Sequence, residues 1–201
     1  MFDARFRRWI APALAAPASA LGRLGVTANQ VTVAGFVVAV AGAAVVGSGR
    51  PLVGMALWLQ SRLFDAIDGA VARQTDGKAG FGGFLDLTLD MLAYSLMATA
   101  FARIHPEDPT VWLLVLVGYV GCITTTAVLS SILEQRRVLI PANDRSLQFT
   151  AGFAEAGETT IVYLLLAVLP GWAAWIATGW VLVLFATVLQ RIVIARRLLG
   201  G

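Results

Sequence analysis

The sequence is organised around one acidic stretch, Asp65-Ala-Ile-Asp68-Gly69-Ala-Val-Ala72-Arg73, which is followed after eight residues by Gly82 and then by Asp86 and Asp90. Asp65 and Asp68 are three positions apart and Asp86 and Asp90 are four apart, so on helices each pair shares one face. Long apolar runs flank the stretch, and a carboxylate at membrane depth costs about 2.5–3.5 kcal/mol. Four such carboxylates need cations, and hard oxygen ligands predict Mg²⁺, Mn²⁺ or Ca²⁺.

The composition is that of an integral membrane protein. Of the 201 residues, 58% are hydrophobic and only 13% are charged, whereas soluble domains average about 25% charged residues. The net charge of +3 does not predict a nucleic-acid partner, because the basic residues fall in short blocks between apolar stretches. The single cysteine, Cys122, excludes an intrachain disulfide. We expect no cleavable signal peptide, since Pro12 and Pro17 interrupt the first apolar stretch.

The apolar pattern predicts an all-α, integral membrane bundle of six transmembrane helices. Residues 1–26 predict an interfacial amphipathic helix, with aromatic side chains at the acyl boundary and arginines among the head groups. Residues 27–201 then form the membrane domain, and Thr27 with Gln30 predicts a capping box at its start. The expected spans are about 28–48, 51–73, 82–104, 109–137, 149–169 and 172–198.

The basic residues are distributed unequally between the two sides of this predicted bundle. Twelve of the fifteen Lys and Arg residues fall on the side of the termini, while Arg50 and Arg103 fall on the other side. Basic loops stay in the cytoplasm, so we expect both termini and the opening of the acidic stretch to be cytoplasmic. The expected location is a bacterial inner membrane.

Helices joined by a short link are antiparallel neighbours, which determines how the carboxylates meet. Asp65 and Asp68 can face Asp86 and Asp90, and together they can hold one ion or two ions about 3.5–4 Å apart. Arg62, one turn before Asp65, is expected to balance the charge of this cluster.

Small residues beside the carboxylates have two interpretations. Gly69, Ala72 and Gly82 could serve tight helix packing, or they could form a slot for a flat or phosphorylated ligand. Their interleaving with the four aspartates and with Arg73 favours the slot.

These residues resemble the signature of the CDP-alcohol phosphotransferases. All eight signature positions are present with unbroken spacing across 26 positions, and Ala28 alone departs from the proline common before the family's first helix. The resemblance implies a six-helix membrane enzyme, commonly a homodimer, with two divalent ions, Mg²⁺ or Mn²⁺. It also implies that an alcohol hydroxyl displaces CMP from a CDP-linked donor, usually CDP-diacylglycerol.

The resemblance further implies a role for each signature residue. Asp90 would be the catalytic base, because a hydroxyl is a poor nucleophile near neutral pH. The implied metal ligands are Asp65, Asp68, Asp86 and Asp90. The implied donor-binding residues are Asn29, Asp68, Gly69, Ala72, Arg73 and Gly82.

The acceptor is less strongly indicated by the sequence. Its candidate residues are Arg136, Arg137, Arg145, Glu155, Glu158 and Arg191. The arginines suit an anionic acceptor such as glycerol 3-phosphate or an inositol phosphate, although they also fit positive-inside topology. The two glutamates could pair with arginines, or could instead serve an unphosphorylated polyol or an amino alcohol. We favour a phosphorylated polyol.

Two other classes of protein could also carry such an acidic cluster. Intramembrane carboxylates also line the paths of metal or proton transporters. Such a path should thread both halves of the bilayer, yet here the four aspartates cluster toward one face. A membrane scaffold without activity would not need all four carboxylates. The enzyme is therefore the favoured interpretation.

Overall fold

The computed structural model describes residues 14–74, 80–136 and 153–200, and every regular element in those ranges is helical. The helices in chain order are α1 (14–23), α2 (Ala28–Gly47), α3 (Pro51–Gln74), α4 (Phe81–Ile104), α5 (Pro109–Gln135), α6 (Ala156–Val168) and α7 (Ala173–Leu199). A 3₁₀ turn, Pro170–Trp172, precedes α7. The chain divides into two compact units, Met1–Ile104 and His105–Gly201.

Four of the described helical segments are long and apolar enough to cross a membrane, namely α2, α4, α5 and Pro170–Leu199. These segments agree with the expected all-α membrane protein. Helix α3 carries the charged residues of the acidic stretch, and α6 has 13 residues, fewer than the roughly 20 that a straight span needs. The count of six spans therefore stays a prediction.

The start of α2 is set by the capping box that the sequence predicts. The backbone N–H of Gln30 donates to Thr27 Oγ1 at 3.3 Å, and the backbone N–H of Thr27 donates to Gln30 Oε1 at 2.9 Å. These two hydrogen bonds satisfy backbone N–H groups that have no acceptor inside the helix. Gly49, with φ of 87°, turns the chain into α3, which begins at Pro51.

Helix α1 is the described part of the predicted interfacial segment, whose residues 1–13 lie outside the described ranges. Leu14 and Ala18 are buried against Ala70 and Val71 of α3. This part of its apolar side contacts protein, because α3 offers it an apolar partner surface. An interfacial role for the segment stays a prediction.

In the first unit, α2 packs against both α3 and α4. The α2–α3 contact depends on two glycines that let the backbones approach closely. A Cβ built on Gly54 would stand 2.6 Å from the carbonyl oxygen of Gly42. This close approach brings the first turns of α2 beside the acidic end of α3.

In the second unit, α5 packs against α7, and a buried aromatic network joins them to α6. The hydroxyls of Tyr119 and Tyr163 are 2.7 Å apart, and Trp180 Nε1 donates to Tyr119 Oη at 3.0 Å. The network satisfies the polar atoms of three buried aromatic side chains.

The fifth predicted span begins later than expected, at Ala156 rather than near residue 149. Residues 153–155 are not helical, and the backbone N–H of Ala154 donates to Thr187 Oγ1 at 3.1 Å. The backbone N–H of Ala154 thus donates to a side chain of α7 and not to a carbonyl oxygen within a helix. The predicted stop at Pro170 and Gly171 agrees with the end of α6 at Val168.

Candidate active site

Three carboxylates meet where the end of α3 faces the beginning of α4. Asp65, Asp68 and Asp86 each offer one oxygen, and these oxygens all lie within 4.8 Å of one another. Asp68 is buried, and the other two are half-buried. Like charges this close repel one another in a partly desolvated site, so a bound cation would stabilise them. Three hard oxygen ligands at this separation fit a divalent metal ion such as Mg²⁺, Mn²⁺ or Ca²⁺.

Asp90 lies one turn further along α4 and forms an ion pair. Its Oδ1 accepts a hydrogen bond from Arg62 Nη1 at 2.7 Å. This contact confirms that Arg62 balances charge in the acidic cluster. All four aspartates, including Asp90, line the same hollow.

The hollow is walled by α2, α3 and α4, and its interior volume of about 10 Å³ is roughly the space that one water-sized group needs. Its lining residues are Thr32, Gly35, Phe36, Ser61, Arg62, Asp65, Asp68, Asp86, Leu89 and Asp90.

Thr32 on α2 is a residue of this hollow that the sequence analysis missed. Its Oγ1 donates to Asp68 Oδ2 at 2.7 Å. Hydrogen bonds to an ionised carboxylate are strong, so this bond orients Asp68 toward a fixed position. The sequence contains a signal for this contact. Thr32 and Asp68 are equally far along the chain from Arg50, which lies in the link between α2 and α3. Antiparallel helices bring such positions to the same depth.

The residues expected to bind the donor lie around the same helix ends. Asn29 and Gly82 come together, since a Cβ built on Gly82 would stand 3.1 Å from Asn29 Oδ1. Gly69 and Ala72 are half-buried on α3 beyond Asp68. The side chain of Arg73 lies outside the described part of the structure.

The residues expected to bind the acceptor belong to the second unit, where Arg137 and Arg145 fall outside the described ranges. Arg136 is exposed, and its Nη1 donates to the carbonyl oxygen of Leu199 at 3.3 Å. Arg191 is buried in α7, and its Nη1 donates to the carbonyl oxygen of Cys122 at 2.7 Å.

Two of these second-unit side chains keep buried polar atoms without a partner. Within the described residues, neither Nε of Arg191 nor Oε2 of Glu158 has a hydrogen-bond partner. Glu155 occupies the N-cap position of α6, and its side chain makes no capping hydrogen bond there. A buried polar atom without a partner costs about 1–3 kcal/mol, so such atoms need an explanation.

Comparisons with known proteins agree with this arrangement of residues. Residues 25–190 match the family described as CDP-alcohol phosphatidyltransferase. An Escherichia coli relative, "Inner membrane protein YnjF", is 28% identical over 178 residues, which cover 87% of this chain and 85% of the relative. An archaetidylinositol phosphate synthase of Methanothermobacter thermautotrophicus is 32% identical over 142 residues, covering 71% of this chain and 66% of the relative.

A solved structure shares the fold. The Mycobacterium tuberculosis phosphatidylinositol phosphate synthase PgsA1, in complex with manganese and citrate, matches with a TM-score of 0.69 and 25% identity. The match covers 90% of this chain and 88% of that one. With the acidic signature intact and most of its length matched by the family, this chain belongs to the CDP-alcohol phosphatidyltransferase family and is a membrane-bound transferase of phospholipid synthesis.

Proposed function

We propose that this protein transfers the phosphatidyl group of CDP-diacylglycerol to a hydroxyl of a phosphorylated polyol and releases CMP. The observation that carries the proposal is the meeting of Asp65, Asp68 and Asp86 in a hollow that also contains Asp90. The acceptor oxygen would attack the phosphorus attached to diacylglycerol. The phosphorus–oxygen bond to CMP would break, and the hydroxyl proton would pass to Asp90.

The metal ligands in this proposal are Asp65, Asp68 and Asp86, with Asp90 completing the set for a second ion. Their hard oxygens and close spacing support Mg²⁺ or Mn²⁺, as does the manganese complex of the Mycobacterium tuberculosis enzyme. When bound, such ions supply the positive charge that lets a diphosphate approach the carboxylates and that stabilises the departing CMP.

Asp90 is proposed as the general base. Its position on the wall of the hollow, beside the three clustered aspartates, supports this role. A carboxylate held beside the reacting hydroxyl contributes typically about 10²–10⁴-fold to rate.

The donor head group is proposed to contact the polar and small residues around the ends of α2, α3 and α4. The close approach of Asn29 to Gly82 supports this, since a larger side chain at 82 would crowd the amide. The proposed donor-binding residues are Asn29, Asp68, Gly69, Ala72, Arg73 and Gly82. The acyl chains would stay in the bilayer.

A phosphorylated acceptor is supported by the cationic candidates Arg136, Arg137, Arg145 and Arg191. Arg191 supports it most directly, because its buried Nε lacks a partner among the described residues. The archaeal relative is named archaetidylinositol phosphate synthase, and the mycobacterial relative is named phosphatidylinositol phosphate synthase. The unpaired buried oxygen of Glu158, with Glu155 nearby in sequence, favours the alternative of an unphosphorylated polyol or an amino alcohol.

The proposed membrane arrangement has six spans, with α3 and α6 added to the four apolar ones, and α1 at the interface. The excess of basic residues on one side supports cytoplasmic termini and a cytoplasmic active site. The name of the Escherichia coli relative supports an inner-membrane location. We further propose a homodimer, in which some of the large exposed apolar side chains of the helices would pack against a second copy.

A panel of acceptors tests the function directly. The purified protein would receive labelled CDP-diacylglycerol with Mg²⁺ and, separately, glycerol 3-phosphate, an inositol phosphate, inositol, serine or ethanolamine. We expect CMP release with a phosphorylated polyol only. Release with inositol or an amino alcohol alone would move the assignment to the alternative acceptor class. Mg²⁺ flux through protein-containing liposomes without CMP release would indicate a transporter.

A further inference from the structure

Arg62 is held in place by more contacts than charge balance requires. Its guanidinium lies 4.5 Å from the centre of the Trp58 ring and 5.4 Å from that of Tyr94. Its Nε donates to Ser61 Oγ at 3.3 Å, and its Nη1 donates to Tyr94 Oη at 3.3 Å and to Asp90 Oδ1 at 2.7 Å. Trp58 and Tyr94 are themselves buried and in ring contact, with centres 5.5 Å apart.

These contacts make the guanidinium a rigid partner for Asp90. The side chain of Arg62 is 16% exposed and that of Asp90 is 23% exposed, so neither is free to move far without losing its partner in a desolvated environment. The two aromatic rings restrict the position of the guanidinium, and a flexible lysine ammonium does not reproduce its forked set of donors.

Two carboxylates are possible ion-pair partners of Arg62. Asp65 lies three residues away on the same helix, where a helical ion pair would be expected. The short hydrogen bond of Arg62 nevertheless goes to Asp90 on the neighbouring helix. Arg62 thus contacts Asp90, proposed as the base and as a ligand of the second ion, rather than the three aspartates that cluster together.

We propose that Arg62 is a positioning residue, which uses the Trp58–Tyr94 pair to hold the Asp90 carboxylate at the wall of the hollow where it takes the acceptor's proton. The proposal rests on the function proposed above, in which Asp90 is the base. Loss of Arg62 should then slow turnover while leaving donor affinity and metal binding by the other three aspartates almost intact.

The test compares Arg62→Met and Arg62→Lys with the wild type. Arg103→Met, which removes an exposed arginine at the end of α4, is the matched control. Two readouts are needed: CMP release, resolved into kcat and KM for CDP-diacylglycerol, and Mn²⁺ binding followed by electron paramagnetic resonance without substrate. The second readout does not depend on turnover.

We expect Arg62→Met to lower kcat about 10- to 100-fold, because a misplacement of about 1 Å can cost 10²-fold. KM and the Mn²⁺ affinity should stay within about threefold of the wild type, as for an interaction made only in the transition state. Arg62→Lys should recover only part of kcat, and Arg103→Met should match the wild type.

Three results would overturn the proposal. The first is a normal kcat for Arg62→Met, and the second is full recovery by lysine, which would leave charge as the whole effect. The third is a parallel loss of kcat, donor affinity and Mn²⁺ binding, which would indicate a structural role. Should Arg62→Met not fold, Arg62→Lys decides, since a wild-type kcat there contradicts the proposal. A wild type that releases no CMP with any acceptor refutes the proposed function itself.

Discussion

Thr32 on α2 donates a hydrogen bond of 2.7 Å to Asp68 on α3, so the helix before the acidic stretch takes part in shaping the carboxylate cluster. The same hydroxyl lies 3.0 Å from the carbonyl oxygen of Ala28, which fixes its position on the helix. Asp68 is the most buried of the three clustered carboxylates. This bond to a buried carboxylate therefore contributes to the placement of Asp68.

Thr32→Val should therefore weaken metal binding more than it weakens folding. Valine keeps the shape of threonine and removes only the hydroxyl, whose hydrogen bond to a charged group is worth about 1.5–3 kcal/mol. We expect Mn²⁺ affinity to fall about tenfold. The measurement is Mn²⁺ titration, with thermal unfolding alongside. Thr178→Val, which removes an exposed hydroxyl bonded within α7, should bind Mn²⁺ normally, and equal effects of the two substitutions would contradict the role of Thr32.

Asp90→Asn should reduce catalysis far more than it reduces metal binding by Asp65, Asp68 and Asp86. The amide oxygen can still accept from Arg62, so the fold should persist, but the group can no longer take a proton. We expect CMP release to fall about 10²–10⁴-fold, with Mn²⁺ binding reduced far less than in Asp86→Asn. Initial rates and Mn²⁺ titrations measure the two effects. Near-normal turnover by Asp90→Asn would remove Asp90 as the base.

Metal ions should stabilise the protein as well as activate it. A ligand at about 100 times its dissociation constant adds about 2.7 kcal/mol to the stability of the state that binds it. We expect Mg²⁺ or Mn²⁺ to raise the unfolding temperature in detergent and excess chelator to abolish CMP release. The double variant Asp65→Asn with Asp68→Asn should lose the thermal shift. A shift of wild-type size in that variant would place the stabilising ion elsewhere.

The meeting of the aspartates could be predicted from the sequence, because it follows from helical spacing and a short link. Asp68 and Asp86 are equally far along the chain from Gly77, and antiparallel helices bring such positions to the same depth. The same reasoning, applied to the link at Arg50, would have found Thr32. The hydrogen-bond partner of Arg62 was harder to predict. Both Asp65 and Asp90 lie near Arg62, whose guanidinium packs on Trp58 and donates to Asp90.

Other features depend on forces that local sequence does not reveal. Helix α6 starts late because Thr187, more than thirty residues further along the chain, bonds the backbone N–H of Ala154. Leu14 and Ala18 face α3 because that helix offers an apolar surface, which amphipathicity alone cannot distinguish from lipid. The acceptor residues stay predictions, because their assignment depends on a ligand rather than on helix packing.

Two glycines should respond differently to the addition of one methyl group. At Gly54 the new Cβ would meet the backbone of Gly42 at 2.6 Å, and a helix backbone cannot move aside without separating α2 from α3. At Gly82 it would meet the side-chain oxygen of Asn29 at 3.1 Å, and a side chain can rotate. We expect Gly54→Ala to cost about 1–3 kcal/mol of stability, as overpacking does. Gly82→Ala should leave unfolding nearly unchanged and raise KM for CDP-diacylglycerol.

Thermal unfolding and steady-state kinetics on the same preparations distinguish the two effects. Gly179→Ala, at an open position of α7 where nothing lies within 4 Å of the added Cβ, is the matched control. It should leave KM unchanged and should not lower stability, since alanine favours the helix more than glycine does. A normal KM in Gly82→Ala would argue against donor contact at this position. A stable Gly54→Ala variant with normal activity would show that α2 and α3 can separate without disturbing the hydrogen bond from Thr32 to Asp68, and the account of how α2 shapes the site would then be wrong.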